Sequence, residues 1–245
     1  MTDQRRPVVV VHGVGAGSDA DRVGFSLKLA QGVDTRRRRV TRVGRLPDRS
    51  IPRDAPTDGI HWEEALWESE HDTADRVAKA ALGGLGATPG MLGDLVGYFL
   101  DVLLDVPFYL AATGEGIRRR VRSVIAAHPG CIVVGHSLGS VIAADVLARS
   151  FSPSGVPLDV AGLVTIGSPL NLLGLRLAMR EEFPFVWSNY RYGADPICFS
   201  GNLNTDEFPG VRNFSLSSNE GFGVAHTHYW SSQVVANSIR RMSSR

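Results

Sequence analysis

Gly135-His136-Ser137-Leu138-Gly139 sets a serine between two glycines at the spacing G-x-S-x-G. A serine hydroxyl is a weak nucleophile until an adjacent base takes its proton. The pattern alone is weak. Chance supplies about one match in every four chains of this length and composition, so the flanking residues decide. Here the apolar run Cys131-Ile132-Val133-Val134 precedes it and an Ala-rich segment, residues 138–150, follows. That order predicts strand, sharp turn and helix, a turn that exposes the hydroxyl and crowds its neighbours. Glycines suit the crowded flanks. The helix N-terminus would add backbone N–H groups and positive dipole where an oxyanion forms.

A second N–H donor needs another strand-end loop. Pro7-Val8-Val9-Val10-Val11 is a β-branched run that enters His12-Gly13-Val14-Gly15-Ala16-Gly17. Its small residues let backbone approach a carbonyl, so the N–H groups of Val14 and Leu138 are the expected oxyanion hole. A dinucleotide loop is the competing reading. The glycines fall at Gly13, Gly15 and Gly17 and position 18 is Ser18, so the G-x-G-x-x-G spacing fails. No G-x-x-x-x-G-K-[ST] sequence occurs in the chain.

These residues need elements to hold them. Apolar runs alternate with helical patterns, which predicts βα units on a parallel sheet. Strands are expected at 7–11, 131–134, 160–166, 185–192 and 211–216, with a short one at 61–67 and an edge strand at 36–43. Helices are expected at 19–31, 138–150, 170–182 and 231–242. Residues 46–59 are rich in Pro and Asp and read as a loop. The Arg36-Arg37-Arg38-Arg39 run reads as a solvated edge or turn rather than a phosphate patch.

Residues 73–128 break the alternation and read as a helical cap leading into a crossover helix. Their most apolar part is 92–112. Asp94, Asp101 and Asp105 interrupt it, and one central Asp costs about 2.5–3.5 kcal/mol on insertion into a bilayer. Pro107 would disturb its C-terminal third. The carboxylates share one helix face, which suits either cap packing or a lid over an apolar cleft.

Composition bounds the function classes. The 245 residues carry 26 Lys or Arg against 25 Asp or Glu, a net charge of +1, which gives no reason to expect nucleic acid as a partner. The hydrophobic share is 43% and the charged share 21%, which excludes a largely disordered chain. Cys131 and Cys198 sit in apolar runs and read as buried free thiols. The apolar stretch after Arg5-Arg6 is too short for a secretory signal, so a soluble cytoplasmic protein is expected. No His, Cys, Asp or Glu cluster has convincing metal spacing; His226 and His228 lack a third ligand nearby. No metal or other cofactor is expected.

The chain resembles the α/β-hydrolase superfamily, and within it the lipase- and esterase-like members. The resemblance rests on Val11-His12-Gly13-Val14-Gly15, on Gly135-His136-Ser137-Leu138-Gly139-Ser140 and on Thr165-Ile166-Gly167-Ser168-Pro169-Leu170. It extends to the Asp195-Pro196 turn and to His226-Thr227-His228-Tyr229-Trp230. It covers both ends of the chain but not the cap. It implies a mostly parallel sheet flanked by helices, and with the cap read above as a helical insertion at about 73–112 the chain 1–245 is expected to be a single domain. It also implies a nucleophile, an acid and a histidine in that order.

The acid must then lie between Ser137 and the late histidines. Asp145 falls inside the helix after the nucleophile. Asp159 precedes a strand, and Asp206 and Glu207 lie in a polar loop. Asp195 directly follows an aromatic-rich strand, where such an acid belongs. The resemblance favours His226 over His228 as the base, with Tyr229 and Trp230 anchoring its loop. His12, His61, His71, His128 and His136 have bland readings in loops, at the surface or in backbone support.

The expected activity is that of a serine esterase or lipase-like hydrolase: Ser137 attacks, His226 is the base and Asp195 orients it. The expected partner is a small-molecule or lipid ester, with transient contact of the cap at a membrane surface. Two rivals stand beside this. One is an acyltransferase or thioesterase with the same triad, separable by product analysis. The other is a non-catalytic module that binds a lipid or protein, which need not keep all three residues.

Overall fold

The computed structural model describes residues 6–12, 62–65, 114–171, 182–198, 201–217 and 225–244. Six strands form one sheet: β1 (Val8–Val11), β2 (Trp62–Ala65), β3 (Cys131–His136), β4 (Val160–Ile166), β5 (Val186–Tyr192) and β6 (Val211–Leu216). Their order is β2-β1-β3-β4-β5-β6, and every pairing is parallel. The helices are α1 (Gly114–Ala126), α2 (Leu138–Ser150), the four-residue α3 (Ala225–His228) and α4 (Gln233–Ser243).

β1 and β3 are apolar without alternation because both of their faces are covered. Every residue of each is buried. On one face Val9, Val11, Val133 and Leu163 pack with Ile117, Val121 and Ile125 of α1 and with the apolar side of α2. On the other, Val8, Val10, Ile132, Val134, Val164 and Ile166 pack with Tyr229, Trp230 and the α4 residues Val235, Ala236 and Ile239. The result is an α/β layered fold, a parallel sheet between helices, as the βα alternation predicts.

The strands expected at 160–166 and 211–216 and the helix at 138–150 keep their bounds. β5 starts one residue later than expected, at Val186. The closing helix differs more. Tyr229–Ser231 form a 3₁₀ turn, and Ser232 is extended, with φ −72° and ψ 113°. The Ser232 hydroxyl accepts from Val235 N–H, so α4 begins at Gln233 with a serine cap. The helix at 19–31, the edge strand at 36–43 and the cap at 73–112 lie outside the described residues, as does most of the helix at 170–182. Among the described residues, no helix is long and apolar enough to cross a membrane.

Candidate active site

The parallel sheet sends the C-terminal ends of its strands to one edge, where ligands of such sheets bind. Ser137 follows β3 there and carries φ 54° and ψ −130°. It is the one non-glycine residue with positive φ among the described residues. An L-residue rarely adopts this conformation, and holding it costs about 1–3 kcal/mol. The surroundings enforce it. Ser137 N–H donates to Ile166 O of β4 at 3.1 Å, and Ser137 O accepts from Ser140 N–H at 2.9 Å. The Ser140 hydroxyl also donates to Ser137 O, at 2.5 Å, and lies 2.7 Å from Ser168 Oγ. Ser140 has one proton to give, so Ser168 is the donor in the second bond.

The flanking glycines are required by close approach. A Cβ on Gly139 would stand 2.1 Å from Val11 O, and one on Gly135 would stand 2.6 Å from Ser140 Cα. Without those side chains, the N-terminus of α2 sits directly on the ends of β1 and β3. Leu138 is the first residue of α2, so its N–H belongs to the positive end of the helix. Val14, the other expected oxyanion donor, lies outside the described residues.

Asp195 stands three residues past β5, and its side chain is fully buried. Its Oδ1 accepts from Ile197 N–H at 2.9 Å. Its Oδ2 accepts from the Tyr229 hydroxyl at 2.6 Å and from the Cys198 thiol at 3.5 Å. His226 Nδ1 lies 2.9 Å from Oδ1 and 3.0 Å from Oδ2. A carboxylate only accepts, so Nδ1 carries the proton, and the lone pair of the uncharged form of the ring lies on Nε2.

Burial by itself would raise the Asp195 carboxyl. The charge of His226 and the hydrogen bonds from His226, Tyr229 and Ile197 outweigh it and hold the group below the ordinary carboxylate range. Burial, with the charges of Cys198 and Asp195 added, pushes the Tyr229 phenol far above its ordinary value, so it stays protonated and donates. Burial and then Asp195 likewise keep Cys198 a thiol. The arrangement can therefore hold an ionised carboxylate against an imidazole in a single tautomer.

His226 and Ser137 share one neighbourhood. Gly167 follows Ile166, the acceptor of Ser137 N–H, and has φ +59°. A Cβ there would stand 2.9 Å from His226 Cε1. The rings of His136 and His226 lie 4.6 Å apart. His228 instead places its ring edge-on against Tyr192, with centroids 5.5 Å apart. The structure thus brings Asp195 together with His226 and not with His228.

The remaining candidates fall elsewhere. Asp145 is tied to Arg149 at 2.8 Å within α2. Asp159, Asp206 and Glu207 are exposed. His12 is buried and stacks on Trp230 at 5.1 Å. His128 is half-buried, with Nδ1 2.8 Å from Val124 O. His61 and His71 lie outside the described residues. Both cysteines are free and buried, and burial pushes the Cys131 thiol up to about 12. Among the described residues, no three His, Cys, Asp or Glu side chains converge as a metal set.

Sequence reasoning missed three supports: Tyr229 and Cys198 on Asp195, Ser140 (itself bonded to Ser168) on the Ser137 carbonyl, and His136 on the loop of His226. A partial signal existed for the first, since Tyr229 lies three residues after His226 and Cys198 three after Asp195, within one helical turn.

No family model matches the chain, and no curated protein matches it. Among solved structures it is similar to a dienelactone hydrolase from Anabaena variabilis, with 13% identity over 99% of this chain and 85% of that one and a TM-score of 0.47. It is also similar to a predicted CIB-like hydrolase from Thermoplasma acidophilum, with 13% identity over 98% and 89% of the two chains and a TM-score of 0.41. An all-parallel sheet between helices, with the strained strand–turn–helix of Ser137 at its carboxyl edge, gives this chain the α/β-hydrolase fold.

Proposed function

We propose that the protein is a serine hydrolase of carboxylic esters. One observation carries the reading: a buried Asp195–His226 pair at the same sheet edge as the strained Ser137 turn. In this reading His226 Nε2 takes the proton from Ser137 Oγ as the oxygen attacks the ester carbonyl. The C–O π bond opens to an oxyanion, which meets the Leu138 N–H at the head of α2 and a second N–H from the Val14 loop. His226 then gives its proton to the leaving alkoxide as the acyl–oxygen bond breaks. Water, deprotonated by the same imidazole, releases the acid and regenerates Ser137. Asp195 holds the tautomer and stabilises the imidazolium without taking a proton.

A lipophilic acyl group is part of the proposal, and the apolar run at 92–112 in the sequence supports it. The hydroxyl, imidazole and carboxylate need no metal in these steps.

The test is kinetic, on short p-nitrophenyl esters. Ser137→Ala and His226→Ala should each lower kcat by several orders of magnitude, because a triad acts as a unit. His228→Ala should cost about tenfold at most, the scale of a modest loop displacement. Loss of activity in His228→Ala with His226→Ala still active would reverse the assignment of the base.

A further inference from the structure

His136 occupies the interior of the G-x-S-x-G turn, a position whose side chain has no part in the attack on the ester. The residue is nonetheless buried, at 8% exposure, and its ring is closely surrounded. Nε2 lies 2.9 Å from the backbone carbonyl of His226, across 90 residues of sequence. A carbonyl only accepts, so Nε2 carries the proton and donates. The ring lies 4.6 Å from that of His226 at an angle of 35° and meets Trp230 edge-on at 5.0 Å. Burial, with the charge of His226 against it, holds His136 well below the ordinary imidazole range and keeps it neutral. A charged ring here would oppose the imidazolium that forms on His226.

His226 is therefore held at two points. Its carbonyl is fixed by His136, and its Nδ1 is fixed by Asp195 at 2.9 Å. A residue pinned at its backbone and at one ring nitrogen can direct its other nitrogen only one way. His136 directly precedes Ser137, so the first pin ties the base loop to the nucleophile turn itself. We infer that His136 is a positioning residue, whose Nε2–H sets the register between Ser137 and His226. The inference rests on the proposed roles of Ser137 and His226.

Gln and Asn separate this role from packing. The Gln side-chain nitrogen reaches the place of imidazole Nε2, whereas that of Asn reaches only the place of Nδ1. His136→Gln should keep kcat within about threefold of wild type, and His136→Asn should lower it about 10- to 100-fold with KM within about twofold, the scale of a misplaced catalytic group. The rate of fluorophosphonate labelling at Ser137 should fall in parallel. Because it is read on the folded fraction, it does not depend on yield. Equal behaviour of the two variants, whether both active or both impaired, overturns the inference while leaving the triad standing. Failure of the wild-type protein to label at Ser137 overturns both.

Discussion

The Ser137 backbone predicts an inversion in a simple pair of variants. Gly in place of Ser at a helix N-cap ordinarily costs about 0.2–0.5 kcal/mol. At φ 54° and ψ −130° the side chain itself is the burden, and removing its Cβ should release about 1–3 kcal/mol. The difference leaves Ser137→Gly more stable than wild type by about 0.5–2.8 kcal/mol. Ser137→Ala keeps the Cβ and the strain, so it should fall within about 0.5 kcal/mol of wild type. The main-chain bonds from Ser137 N–H to Ile166 O and from Ser140 N–H to Ser137 O survive both changes. Urea unfolding read by tryptophan fluorescence resolves this. At a slope of about 3 kcal/mol/M, Ser137→Gly should unfold about 0.2–0.9 M later. Both variants should lack esterase activity. A Gly variant no more stable than the Ala variant would show that position 137 stores no backbone strain.

Three further outcomes follow from the same contacts. Tyr229→Phe removes the donor to Asp195 Oδ2 and the acceptor of Tyr192 N–H; it should cost about 1.5–3 kcal/mol in urea unfolding, the range for a hydrogen bond to a charged group, and a loss below 0.5 kcal/mol would refute that role. His136 is neutral in the fold and its pKa is depressed, whereas the unfolded chain takes a proton there below about pH 6.5. The unfolded state then binds more protons, so stability present above pH 6.5 should be lost below it at about 1.4 kcal/mol per pH unit, a slope that His136→Gln removes. Below about pH 3.9 the depressed Asp195 carboxyl adds to the loss in the same direction. Gly139→Ala drives a Cβ to 2.1 Å from Val11 O and should destabilise by at least about 1–3 kcal/mol; a thermal melt unchanged from wild type would mean that α2 does not sit on the end of β1.

The strands were legible where burial on two faces leaves an unmistakable run, as in Val8–Val11 and Val160–Ile166. The start of α4 was not, because the apolar pattern continues through Trp230 and Val234 while the Ser232 cap interrupts the helix. The Ser137 turn was legible because its glycines answer a local steric demand. Proximity to a strand end singled out Asp195, and the structure joins it to His226. What spacing could not reveal is the support of that pair. The bonds from Tyr229 to Asp195 and from His136 to His226 cross 34 and 90 residues and exist only once the sheet has gathered its carboxyl ends.

The central claim is that Ser137 is a nucleophile activated by His226. Its most direct measurement is reaction of the native protein with a fluorophosphonate, followed by intact mass and peptide mapping. One adduct per chain, on the peptide holding Ser137, is expected. The adduct should vanish on prior unfolding and in His226→Ala. An adduct elsewhere, or equal labelling of native and unfolded chains, would contradict the account.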